Sequence, residues 1–90
     1  MTKPLIQNYV PLIHGIINAL LFLESAGPDE VDPDSAVRCM ENIASSLLAL
    51  EKSDQLALRS EFEKIAENEQ DSAYKNFVRG LPDMIGLALP

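Results

Sequence analysis

Residues 4–23, PLIQNYVPLIHGIINALLFL, run for twenty positions without a charged side chain. Asn8 is placed to cap a helix, and Pro11 falls in the first turn, where a missing N–H has no intrahelical partner to lose. The segment therefore reads as a helix from about Tyr9 to Glu24. At roughly 100° per residue, Ala19, Leu12, Leu23, Ile16, Tyr9, Leu20, Ile13, Ile17, Val10 and Leu21 fill an arc of about 200°. His14, Asn18, Pro11 and Gly15 share the remaining strip with Phe22. A surface helix needs an apolar stripe of only about 100°, so this one calls for neighbours on at least two sides, inside a bundle or at a dimer interface.

Two other readings of the stretch fail on its details. It has the length of a membrane span, about 20 residues, but Gln7, Asn8, Pro11, His14, Gly15 and Asn18 interrupt it. A cleaved signal would want a basic start and small residues at its end; here Lys3 is the single base before it, and Glu24 stands where a small residue should.

Working outward, Ser25-Ala26-Gly27-Pro28 reads as a helix stop, with Gly27 suited to the left-handed position and Pro28 barring continuation. Asp32-Pro33-Asp34 then reads as a start, with Asp32 as N-cap and Pro33 in the first helical position. The second helix is expected over about 33–50, with an apolar arc of about 180° from Cys39 to Leu48. Ser53 is expected to cap a third over 54–68, whose apolar stripe, Leu58, Phe62, Ile65 and Ala66, is only about 100° wide. Asp71 or Ser72 caps a fourth over 72–79, closed by Gly80, with Leu81 supplying the contact that accompanies a glycine cap and Pro82 preventing extension. The apolar tail, with Leu87 and Leu89, is expected to dock back. The fold class is thus all-α, a four-helix bundle-like single domain spanning residues 1–90, in which helix two is the main neighbour of helix one and helix three lies outermost.

Ninety residues suffice for one domain with a modest core, burying about 60–65% of the unfolded surface. The net charge of −7 is concentrated between residues 24 and 71, which hold thirteen of the fourteen acids and four of the seven bases. Such a surface repels phosphate backbones and anionic membranes, so no nucleic-acid or membrane partner is expected, and a basic protein is the natural complement. Solubility alone is the bland reading of the same charge. Cys39 is the single cysteine, which rules out an intrachain disulfide and points to a reduced, cytoplasmic setting.

Candidate chemistry is sparse. His14 and Asn18 lie together on helix one, but no nucleophile or acid is local to them. Glu30, Asp32, Asp34 and Glu41 fall at positions 1, 3, 5 and 12 of a calcium-loop pattern, yet position 6 is Ser35 where the sharp turn needs glycine. Capping explains these acids without an ion. The paired carboxylates Glu61, Glu63 and Glu67 read as a solvated face. No catalytic residue, metal site or cofactor is expected.

Function therefore has to come from surfaces. The leading expectation is a non-enzymatic protein-interaction module binding a more basic protein through Leu56, Glu63, Glu67, Asp29 and Glu30, with Leu56 projecting from the acidic face as an anchor. In broad character (small, acidic, helical and cysteine-poor) the chain is similar to bacterial immunity proteins and to antitoxin or secretion-chaperone partners, a likeness of class that no motif carries. The second expectation is a homodimer or larger assembly built through helix one and the tail, with Ile13, Ile17, Leu21, Leu87 and Leu89 at the contact.

Overall fold

The computed structural model describes residues 8–90, so the start of the uncharged stretch, residues 4–7, lies outside the described residues. Four α-helices follow one another, α1 (Val10–Ser25), α2 (Pro33–Leu48), α3 (Lys52–Asn68) and α4 (Ser72–Ile85), and there is no strand among the described residues. The arrangement is the small four-helix bundle expected.

Local chemistry sets most of the boundaries. Asn8 Oδ1 accepts from the N–H of Val10 at 3.1 Å while Tyr9 takes the cap position, and Pro11 sits in the first turn. At the start of α2, Asp32 Oδ2 accepts from both the N–H and the hydroxyl of Ser35, at 3.0 and 3.1 Å, with Pro33 in the first turn. Asp71 caps α4 by accepting from the N–H groups of Ala73 and Tyr74. Each such cap is worth about 1 kcal/mol. Several boundaries differ from expectation. Gly27 does not adopt a positive φ; α1 ends at Ser25 and Ala26 is extended. Glu30 then closes the connection by accepting from the Gly27 N–H at 3.1 Å. α3 starts at Lys52, two residues early, with Glu51 in the cap position and no side-chain cap from Ser53.

The largest departure is at the end of α4. The helix runs through Gly80 and Pro82 to Ile85 and stops at Gly86, which takes φ 90°. The N–H groups of Gly86 and Leu87 both donate to the Pro82 carbonyl, at 3.1 and 2.9 Å, which is the glycine-terminated ending predicted for Gly80 moved six residues on. An interior proline costs about 3 kcal/mol because it has no N–H for the carbonyl four residues back. The extra turn offsets that cost by burying Leu81, Pro82, Ile85 and Leu87.

The core comprises Ile13, Ile17 and Leu20 of α1, Leu58, Phe62 and Ala66 of α3, Val78, Leu81 and Ile85 of α4, and Leu87 of the tail. Burying one such aliphatic or aromatic side chain contributes roughly 1.5–3 kcal/mol. α3 and α4 pack most closely, while α1 leans chiefly on α2. Helix three packs closely on α4 alone, yet the stripe it buries is deep: Phe62 is fully enclosed. A narrow stripe shows how little of a helix is covered, and says nothing of where in the bundle that stripe lies. α2, with the wider arc, buries only Ala36 fully and leaves Val37 and Leu48 open. The radius of gyration, 13.9 Å, exceeds the roughly 12 Å of a close-packed chain this long.

The tail docks as expected, and α3 holds it. Arg59, its side chain only 11% exposed, donates to the carbonyls of Leu87 and Ala88 and to Asp83 Oδ1. Gln55 accepts from the Ala88 N–H through Oε1, while its Nε2 donates to the carbonyls of Leu48 and Leu50 at the end of α2. Two polar side chains on one face of α3 therefore tie together α2, α4 and the tail.

Candidate functional site

An open groove of about 620 Å³ lies between the N-terminal half of α1, the end of α2 and the first half of α3. α1 contributes Leu12, Ile13 and Ile16, the end of α2 contributes Leu47 and Leu50, and α3 contributes Ala57 and Leu58. Tyr9 and Leu12 are each 50% exposed and Leu50 40%. A single exposed leucine needs no explanation, whereas several that share one concavity mark an interaction site.

Asp54 and Glu61, two turns apart on α3, give this apolar trough an acidic side. Asp54 is exposed, and Glu61 is partly so, with Lys64 Nζ at 3.5 Å. The groove is about half open to solvent, whereas a small-molecule pocket encloses most of its ligand. Its shape and chemistry fit an amphipathic segment that presents apolar side chains downward and basic ones toward α3.

The residues singled out from the sequence are distributed differently. Glu63 and Glu67 are exposed, but they share a shallow depression with Arg59, Arg79 and Asp83, so this face is of mixed charge. Leu56 is half-buried and does not stand free on it. Asp29 and Glu30 are exposed on a different element, the connection between α1 and α2, where Glu30 is engaged with Gly27. Of the residues expected at a self-contact, Ile13, Ile17 and Leu87 are buried in the chain's own core, Leu21 is half-buried and Leu89 is 66% exposed. Ile17 and Leu87 have almost no free surface and Ile13 keeps only the edge it shows to the groove, because the bundle spends that side of the wide α1 arc, and the docked tail, on its own core.

His14 and Asn18 are exposed on α1, and Cys39 is exposed on α2. Asp32, one of the acids in the calcium-like spacing, is used as a cap. No group of three His, Cys, Asp or Glu side chains among the described residues is arranged to hold a metal ion. No helix among them is long and apolar enough to cross a membrane. Among the described residues, Tyr74 is the one titratable group with a clear perturbation: burial, and secondarily the nearby Glu69 carboxylate, raise its phenol above the ordinary value.

Sequence reasoning missed the groove because it lies between elements. The helical wheel of α3 does place Asp54 and Glu61 beside Ala57 and Leu58, but only the packing brings Leu12 and Leu50 opposite them. No protein-family model matches the chain, and neither does any curated protein or solved structure.

Proposed function

We propose that this chain is a non-enzymatic interaction module that receives an apolar, basic segment of a larger protein in the groove between α1, α2 and α3. The observation that carries this reading is the pairing of an open apolar floor, with Leu12 and Leu50 on its two sides, and the acidic flank of Asp54 and Glu61. The net charge of −7 would steer a basic partner toward the chain, and the floor would supply the anchoring contacts. The exposed settings of His14 and Cys39, on separate helices, favour binding over catalysis. A cytoplasmic partner of the immunity, antitoxin or secretion-chaperone kind fits this character.

The test is an amide-shift titration with a Leu/Lys amphipathic peptide of roughly fourteen residues, about four helical turns. Seating in the groove moves the resonances of Leu12, Leu50, Ala57 and Leu58 first. Shifts confined to Glu41, Glu63 and Glu67 would place the peptide on a diffuse acidic surface and refute the groove.

A further inference from the structure

The groove between α1, α2 and α3 has a rim at which the chain itself enters. Asn8, the first described residue, lines it together with Tyr9 and Val10, so residues 1–7, MTKPLIQ, are joined to the groove at its edge. Their sequence carries the chemistry that the groove requires of an occupant. Met1, Leu5 and Ile6 are apolar, and Lys3 is the single charged side chain among them. The first acid of the chain is Glu24, and the next lysine or arginine after Lys3 is Arg38. Apolar side chains with one cation thus stand beside an apolar floor with an acidic flank.

We infer that residues 1–7 are the resident ligand of the groove, with Leu5 and Ile6 on the floor made by Leu12, Leu50 and Leu58 and Lys3 facing Asp54, so that a basic segment of another protein binds by displacing them. This regulation rests on the groove being the binding site proposed above. Charge complementarity selects the occupant: Asp54 and Glu61 both border the groove, and Lys64 already stands 3.5 Å from Glu61, so Asp54 is the acid assigned to Lys3. Length permits the contact. From Asn8 to Ile16 the groove follows α1 for about 12 Å, at roughly 1.5 Å per residue, and the chain from Asn8 back to Lys3 reaches up to about 17 Å when extended. Attachment supplies the affinity. A directly joined segment faces its site at an effective concentration in the millimolar range, so a contact that would be only about millimolar between separate molecules fills a large share of the grooves. A competing peptide then binds more weakly in proportion to the fraction left open.

The experiment compares the unaltered chain with Leu5→Ser/Ile6→Ser, which leaves the net charge unchanged, and with Lys3→Gln. Amide spectra are recorded first without any peptide, and each protein is then titrated calorimetrically with a Leu/Lys amphipathic peptide, with helicity followed by circular dichroism. Seating of residues 1–7 means that the double variant moves the resonances of Leu50, Ala57 and Leu58 before peptide is added, because these residues are remote in sequence and meet positions 5 and 6 only in the groove. The same variant should bind the peptide at least about threefold more tightly. Lys3→Gln should act in the same direction and less strongly, and it reads the contact alone should the double variant lose helicity. Unchanged groove resonances in folded variants overturn the resident segment whatever the peptide does, and leave the groove itself open to a foreign partner. Resonances that move with no gain in peptide affinity overturn the displacement. If no protein binds the peptide, the resonances alone decide for or against the resident segment, and it is the reading of a foreign basic partner that fails.

Discussion

Gln55 and Arg59, one turn apart on α3, hold opposite ends of the same residue: Gln55 Oε1 accepts from the Ala88 N–H at 3.0 Å, and Arg59 Nε donates to the Ala88 carbonyl at 3.0 Å. A tail with few polar side chains is thereby fixed through its backbone, which places Leu87 in the core.

The Arg59 guanidinium matters here as a hydrogen-bond donor more than as a charge. Its ionic partner Asp83 is 79% exposed, and such pairs contribute no more than about 1 kcal/mol. Arg59→Met, which orphans the Leu87 and Ala88 carbonyls, should cost about 2–4 kcal/mol. Asp83→Asn should cost less than about 1 kcal/mol. Urea unfolding of the two variants checks this, and equal losses would mean that the ion pair holds the tail.

Two glycines of α4 should respond in opposite directions to the same substitution. Gly86 has φ 90°, where a Cβ costs about 1–2 kcal/mol, so Gly86→Ala should lower stability by that amount. Gly80 lies inside the helix with open space at its Cβ position, so Gly80→Ala should raise stability by about 0.5–1 kcal/mol. Thermal unfolding of both variants decides which glycine ends the helix.

That reversal shows what was legible in the sequence. The four helices and the caps at Asp32 and Asp71 follow from side chains acting on their own neighbours, and these local rules held. The rule that proline stops a helix is equally local, but at Pro82 it competes with burial of Leu81, Ile85 and Leu87, which tertiary packing supplies. The depth at which α3 buries Phe62 was hidden for a related reason, since it depends on how closely α4 packs against that stripe. The groove depends on how α1 leans on its neighbours, which no single helix records. The mixed charge around Glu63 and Glu67 was hidden because Arg79 reaches that face from another helix.

Tyr74 makes stability depend on pH at the alkaline end. Burial and Glu69 hold its phenol above the ordinary value near 10. Once pH exceeds 10 the unfolded chain releases this proton while the folded chain retains it, so the folded state binds more protons and stability falls as pH rises. Below 10 this contribution is complete and flat. In a Tyr9→Phe background, absorbance of the remaining tyrosinate should titrate above the ordinary value, and Glu69→Gln should bring the midpoint part of the way down. A midpoint at or below 10 would contradict the buried setting.

Binding of a basic amphipathic segment in the groove is most directly tested by calorimetric titration of the Leu/Lys peptide against three proteins: the unaltered chain, Leu50→Asn, and the double variant Asp54→Asn/Glu61→Gln. If both the floor and the acidic flank contact the peptide, each altered protein binds at least about fivefold more weakly, roughly 1 kcal/mol apiece, and added salt reduces the difference between the unaltered chain and the double variant. Equal affinity of the unaltered chain and Leu50→Asn, with both folded, would show that the peptide is held by charge alone and that the groove is not its site.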